Sequence, residues 1–278
     1  MIRLALCNEV LRAHPLPEQC RIARALGYDA LEIAPFTLSD DPARLPRAAR
    51  RDIRTTIEDA GLAVAGLHWL MTAPAGLSIT DPVRADRAAA HMAAMAELCA
   101  DLGGAILVHG SPEQRDLAHA PNPEIARETA ARCFARAGAA AEAAGVTYCL
   151  EPLAPVLTGY LNTVAECAAL LDQIASPGLS AMLDTSAAAG GETEPPDAVL
   201  ARWLPTGRIS HVHLNDPNRR APGQGRMQFG PVMQRLLSGG YDGFVSVEPF
   251  VYQPSGEATA AVAAGYLRGI LESIGDAQ

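Results

Sequence analysis

With 278 residues, the chain has the length of one large domain or two small ones, and α/β barrels run to about 250 residues as a single unit. A formal net charge of −9 leaves no overall basic surface for phosphate backbones, so nucleic acid is not an expected partner. No apolar run approaches the roughly 20 residues that span a bilayer, which argues against any membrane partner.

The cysteines and the first residues both favour a cytoplasmic protein. Six cysteines are scattered along the chain without a C-x-x-C pair, which predicts buried free thiols rather than disulfides or a zinc cluster. The segment Met1-Ile2-Arg3-Leu4-Ala5-Leu6 reads directly as a strand and has none of the layout of a signal peptide. We therefore expect a cytoplasmic location.

In chain order, short apolar runs alternate with helical patterns, several of which stop at a glycine. The predicted strands are residues 2–7, 30–33, 62–67, 105–108, 146–150, 179–183, 209–214 and 243–247. The predicted helices are residues 16–26, 46–60, 84–102, 123–144, 163–174, 196–204, 229–237 and 258–274. Because strands that alternate with helices pair in parallel, the pattern predicts a closed (βα)₈ TIM barrel in one domain over residues 1–278.

The long loops are all predicted to follow strands, whereas the returns from helix to strand are short. They cover residues 35–45, 69–85, 109–121, 152–161, 185–195 and 215–228. No G-x-G-x-x-G follows the first strand, which argues against a dinucleotide-binding sheet. The functional groups are therefore expected at one rim, at the carboxyl ends of the strands.

Chemistry is concentrated in His211-Val212-His213-Leu214-Asn215-Asp216, where strand alternation places both histidines on one face. Three other predicted strands each run into a single acid, namely Glu151, Asp184 and Glu248. The four strand ends are neighbours around the rim of a barrel. We therefore predict that Glu151, Asp184, His211 and Glu248 bind one metal ion.

Three carboxylates and one imidazole form a hard, oxygen-rich set of ligands. It suits one divalent ion, with Mn²⁺ favoured and Mg²⁺, Co²⁺ or Zn²⁺ as alternatives. The plainer alternative is that each is an ordinary polar residue at a strand end, which requires four coincidences.

Other polar or aromatic residues near the same rim are candidates for binding substrate. Arg226 lies in a loop that could supply cationic contacts, although a solvated loop is an equal alternative. The predicted substrate-binding residues are His68, Trp69, His109, His213, Asp216 and Arg226, with Asn8 and Glu9 as weaker candidates.

The chain resembles the xylose isomerase-like barrel superfamily, and within it the ketose 3-epimerase and sugar-phosphate isomerase/epimerase branch. The resemblance covers the whole length. It is carried by Leu150-Glu151-Pro152-Leu153, by Leu183-Asp184-Thr185, by residues 211–216, and by Ser246-Val247-Glu248-Pro249-Phe250. It implies a metal-dependent sugar isomerase or epimerase that works through a metal-bound enediolate, with Glu151 and Glu248 as catalytic acid and base.

The chain departs from the well-characterised ketose 3-epimerases at two places. Those enzymes follow the glutamate of strand five with a second acid, and they carry a histidine shortly after the aspartate of strand six. Here the corresponding stretches are Ala154-Pro155-Val156-Leu157 and Ser186-Ala187-Ala188. The resemblance therefore implies a small-molecule sugar or sugar derivative as partner without identifying a free ketohexose.

Alternatives remain at this point. An inosose-type dehydratase or lyase would begin with the same proton abstraction, so the sequence does not separate it from an epimerase. Endonuclease IV-like DNA repair shares the barrel but needs more His and Asp ligands and a basic groove. A non-catalytic sugar-binding barrel and a homo-oligomer also stay open.

Overall fold

The computed structural model describes residues 2–275, in which eight parallel strands close into a barrel in sequence order. The first strand closes the ring by pairing with the last, Leu4 beside Val245. The strands are β1 (Arg3–Cys7), β2 (Ala30–Ile33), β3 (Ala63–Leu67), β4 (Ile106–His109), β5 (Thr147–Leu150), β6 (Leu179–Asp184), β7 (Ile209–Leu214) and β8 (Phe244–Val247). The TIM barrel predicted from the alternating pattern is confirmed.

The helices surround this barrel, and all but one agree with the sequence pattern to within two residues at each end. Among residues 2–275 they are α1 (Leu16–Ala25), α2 (Arg47–Asp59), α3 (Ala85–Leu102), α4 (Pro123–Ala144), α5 (Val164–Ile174), α6 (Thr185–Gly191), α7 (Pro196–Trp203), α8 (Gly230–Ser238) and α9 (Gly256–Gly275).

The helix α6 lies where a loop was predicted. Its first turn is capped by Asp184, whose side chain accepts a hydrogen bond from the backbone N–H of Ala187. The cap and three successive alanines favour this short helix. This helix brings its small residues to the carboxyl ends of the strands.

Alternate residues of the strands fill the barrel itself. One group is Ala5, Ala30 and Ala65 with Phe244, and the other is Val108, Cys149 and Met182 with Ile106. The remaining apolar residues pack between the strands and the ring of helices. The interior of the barrel is thus closed by side chains at one end, and polar groups occupy the other.

Two further predictions concern the composition. The six cysteines, all within the described residues, are buried and unpaired, as expected from their scattered spacing. Among residues 2–275, no helix is both long and apolar enough to cross a membrane.

Candidate active site

Four side chains converge at the carboxyl ends of neighbouring strands. Glu151 directly follows β5, Asp184 ends β6, His213 lies near the end of β7 and Glu248 directly follows β8. Each offers a ligand atom, and these atoms all lie within 4.8 Å of one another. All four residues are buried. Three carboxylates and an imidazole this close match the kind of group that the sequence predicts, but the imidazole belongs to a different histidine.

The histidine in the group is His213, whereas the sequence analysis predicts His211. Both imidazoles point into the barrel, but they lie at different depths. Asp184 pairs with His213 across the β6–β7 register, whereas His211 pairs with Met182, deeper in the barrel. The Nε2 atom of His211 lies 2.7 Å from a carboxylate oxygen of Glu32. His211 therefore lies below the group, and the imidazole that the structure brings to the three carboxylates is that of His213 instead.

Glu32 organises the layer below the four side chains, and the sequence analysis assigned it no role. It is fully buried on β2 and lies within hydrogen-bonding distance of His211, His213 and Ser246. His213 Nε2 lies 2.9 Å from Glu32 Oε1, and His213 Nδ1 lies 2.8 Å from Glu248 Oε2. The sequence feature that could have identified Glu32 is its position as the one acid in the otherwise apolar run Ala30-Leu31-Glu32-Ile33.

Glu32 and the two histidines of this layer differ in how readily each carries a charge. Burial alone would raise the pKa of Glu32, but the charges and hydrogen bonds of His213 and His211 hold it well below its usual range. Burial opposes protonation of His213, yet Glu32 and Glu248 together raise its pKa well above the ordinary value. Burial lowers the pKa of His211, although Glu32 partly offsets this effect. His213 is thus the imidazolium partner of the buried carboxylate.

The carboxylates above this layer are less well compensated. Burial, followed by the charges of Glu248 and Asp184, raises the pKa of Glu151 to about 8. Burial and the charge of Glu248 raise the pKa of Asp184 to about 7. Three carboxylates share a site in which one imidazolium is the nearest cation, so protons or a metal ion must neutralise the excess negative charge.

The arrangement fits a divalent ion. Asp184 uses Oδ1 to cap α6, while its Oδ2 is buried and has no hydrogen-bond partner. Glu32 occupies the Nε2 side of His213, so Nδ1 is the nitrogen that faces Glu248 and the other carboxylates above this layer. An unpartnered carboxylate oxygen and an oriented imidazole are what a metal site requires.

The backbone around Glu151 is fixed by a buried arginine and a glycine. Arg115 is fully buried and donates to the carbonyl oxygens of Glu151 and His109, both at 2.9 Å, which ties the ends of β4 and β5 together. A Cβ atom on Gly110 would overlap the Glu151 carboxylate. Glycine at this position therefore leaves room for the Glu151 carboxylate where it lies, and a larger residue would displace it.

A pocket of about 370 Å³ is lined by three of these four side chains, the carboxylates of Glu151, Asp184 and Glu248. His68 and Trp69, two of the predicted substrate-binding residues, line it, and so does Arg219 of the loop that the sequence analysis considered as a source of cationic contacts. His68 Nε2 lies 2.9 Å from Glu9 Oε2, and despite its burial this carboxylate raises the pKa of His68 to about 9. The pocket therefore combines a charged floor with an aromatic side.

Three predicted substrate-binding residues lie elsewhere. His109 points outward from β4, where its Nδ1 lies 2.7 Å from the Tyr148 hydroxyl and its ring packs against Phe134 of α4. The alternation along β4 sends Val108, rather than His109, into the pocket. Asp216 is buried and accepts hydrogen bonds from the backbone of Asn218 and Met227, so it stabilises its own loop. Arg226 is exposed and does not line the pocket.

Comparison with known proteins agrees with this architecture. Residues 20–270 match the family model described as xylose isomerase-like TIM barrel. The chain belongs to the xylose isomerase-like TIM barrel family. Among curated relatives, an L-ribulose 3-epimerase of Mesorhizobium japonicum is 29% identical over 82% of this chain and 73% of its own length. A D-psicose 3-epimerase of Enterocloster bolteae is 36% identical over 34% of this chain, and the match spans 31% of that enzyme.

Two solved structures share the fold at low sequence identity. A 3-keto-D-glucoside 4-epimerase from E. coli superposes with a TM-score of 0.81 at 18% identity, covering 98% of this chain and all of that one (100%). A structure of L-ribulose 3-epimerase gives a TM-score of 0.78 at 23% identity, covering 98% of this chain and 95% of the other. The overall fold of this chain is therefore shared with these two structures.

We expect Glu32→Ala to lower the free energy of unfolding of the metal-free protein by about 3–5 kcal/mol, because it leaves buried imidazoles without their carboxylate. Chemical denaturation in the presence of a chelator measures this. The matched control is Glu58→Ala, which removes a half-exposed carboxylate paired with Arg54 on α2 and should cost no more than about 1 kcal/mol. Equal losses in the two variants would show that the Glu32 network contributes little to stability.

Proposed function

We propose that the protein is a divalent-metal-dependent epimerase or isomerase of keto-sugars or their derivatives. The observation that carries this proposal is the convergence of Glu151, Asp184, His213 and Glu248, whose three carboxylates line the floor of one pocket. The curated relatives named as ketose 3-epimerases support the choice of substrate class.

The metal would be held by the carboxylates of Glu151, Asp184 and Glu248 and by Nδ1 of His213, which would give up its proton to the solvent when the metal binds. A bound divalent ion supplies Lewis-acid polarisation of the substrate carbonyl, which makes the proton on the adjacent carbon easier to remove. Glu32 fixes the orientation of the His213 ring through Nε2.

Glu151 and Glu248 are placed to move the proton. They follow β5 and β8, which are three strands apart in the ring, so their carboxyl groups approach a substrate from different sides. Each has two oxygens, and one can act as base or acid while the other contributes to the metal site. Removal of a proton by one glutamate and its return by the other, on the opposite face of the carbon, inverts that carbon. This division of labour is an epimerase mechanism.

The metal should bind more weakly as the pH falls. Because the folded pKa values of Glu151 and Asp184 are raised to about 8 and about 7, the metal-free fold holds their protons more tightly than the unfolded chain does. That contribution stabilises the metal-free protein at low pH and is lost as the pH rises through these values, where metal binding no longer has to displace protons from these two carboxyl groups.

The rise in melting temperature on adding Mn²⁺ to chelator-treated protein should therefore be larger at about pH 9 than at about pH 6. Glu151→Gln, which removes one of the titrating groups, should make the two rises more similar. A metal-induced rise that does not depend on pH would contradict the assignment of these carboxylates as ligands.

We expect Gly110→Ala to displace the Glu151 carboxylate and lower turnover by about 10²-fold, since small misplacements of reacting groups have effects of this size. The matched control is Gly159→Ala, in the loop after β5, where a Cβ atom would meet nothing within 4 Å. Steady-state kinetics on both variants measure the difference. Unchanged turnover in Gly110→Ala would mean that the position of Glu151 is not critical.

Incubation with keto-sugars in deuterated water tests the reaction itself. The wild type should incorporate deuterium at the carbon beside the carbonyl and form the epimer, as followed by NMR and mass spectrometry. Glu151→Gln and Glu248→Gln should each lower turnover by about 10²–10⁴-fold while elemental analysis still finds the metal. Starting from one epimer, the variant that keeps the base for that epimer should still exchange, and the other should not.

Two outcomes would overturn this function. A lighter carbonyl product would indicate elimination, as in the lyases of the same superfamily, and full activity in either glutamine variant would remove that glutamate from the mechanism. Equal exchange in both variants would mean that a single base serves both faces of the substrate.

A further inference from the structure

The outer part of the pocket has an aliphatic wall formed by the loop after β5 and by α6. Leu153, Ala154, Val156, Leu157 and Ala187 line this wall. A turn closed by the hydrogen bond from Leu157 N–H to Ala154 O, at 2.8 Å, holds Val156 near its tip. Val156 is 90% exposed and Leu157 is 55% exposed. Large apolar side chains so exposed at the mouth of a binding pocket indicate that a ligand contacts them.

An aromatic wall faces it. Trp69 and Phe250 pack edge to face at 6.2 Å, and the guanidinium of Arg219 lies 5.1 Å from the Phe250 ring centre. Trp69 and Arg219 both adopt a left-handed backbone, with φ of 53° and 68°. This conformation is strained for side chains of their size, and such strain concentrates at ligand-binding positions. The packing of this wall is thus maintained despite backbone strain at Trp69 and Arg219.

The two walls lie on opposite sides of the barrel mouth. In the eight-strand ring, β5 and β6 lie across from β1 and β2. Trp69 follows β3 and Phe250 follows β8, the strands on either side of β1 and β2, so their contact spans the ends of β1 and β2. Away from the charged floor, the described residues that line the pocket offer three polar side chains, those of Ser186, Arg219 and Trp69. The distal hydroxyls of a free hexose would be left short of hydrogen-bond partners there, which is unfavourable.

We propose that the outer pocket binds an aromatic aglycone, so that the substrate is an aryl glycoside of a keto-sugar rather than a free ketose. The sugar ring would lie on the polar floor, and the aglycone between the aliphatic and aromatic walls. This inference rests on the proposed function for the reacting end of the substrate, but the preference for an aromatic group is a property of the outer pocket alone.

Equilibrium binding tests the preference without turnover. Methyl and phenyl β-D-glucopyranoside have no carbonyl, so neither reacts, and they differ only in the aglycone. The chain has two tryptophans, and Trp203→Phe leaves Trp69, in the aromatic wall, as the single tryptophan whose fluorescence reports occupancy. We expect the metal-loaded protein to bind the phenyl glycoside roughly tenfold or more tightly than the methyl glycoside, because the ring removes apolar surface from water.

The double substitution Val156→Ser with Leu157→Ser should abolish that difference and leave the affinity for the methyl glycoside unchanged. Both side chains are exposed, so the fold should tolerate these changes. The matched control is Val83→Ser, which alters an equally exposed valine (90%) that does not line the pocket and should keep the full preference.

Three results would overturn the inference. They are equal affinities for the two glycosides, a preference that persists in the double variant, and a wild-type dimer in sedimentation that the double variant dissociates without altering the preference. The last would assign the exposed valine and leucine to contact with a second copy. Absence of deuterium exchange with any keto-sugar, combined with a retained phenyl preference, would instead count against the proposed function alone.

Discussion

The rest of the site depends on one electrostatic constraint, the burial of five carboxylates in the mouth of a single barrel. They are Glu9, Glu32, Glu151, Asp184 and Glu248, and each is at most 6% exposed. Two like charges about 4 Å apart repel by about 4 kcal/mol even at an effective dielectric constant of 20. His68 compensates Glu9, and the β7 histidines compensate Glu32. The other three carboxylates have His213 as their shared cationic neighbour, and this imbalance favours a divalent ion.

Such a group of charges must be held rigidly, and the fold does this with buried bonds between side chains and backbone. Arg115 joins the ends of β4 and β5. Asn215 joins β7 to its neighbours, because its Nδ2 donates to the Glu248 carbonyl and its Oδ1 accepts from Ser186 N–H. Asp184 caps α6 with one oxygen and keeps the other free. The strand ends are thereby fixed by hydrogen bonds between buried side chains and the backbone.

The sequence by itself determined the architecture and most of the central group. Alternating strands and helices in 278 residues leave few folds besides a closed barrel, because parallel strands need helical crossovers. Single acids at the ends of apolar runs identified Glu151, Asp184 and Glu248. These are local signals, in that a charged residue directly after a buried strand is visible without knowing what lies beside it.

Only the tertiary structure decided depth, direction and partners. Whether His211 or His213 reaches the carboxylates depends on the β6–β7 register, which shifts between Ala181 and Met182. His109 points outward from β4, against Phe134. Because β4 is buried on both faces, its near-continuous aliphatic run does not indicate which of its residues face the pocket. Glu32 acquires its role from β7 and β8, about 180 or more residues away in the chain. Register and long-range pairing are set by how strands twist and pack around the whole ring, and no local pattern encodes them.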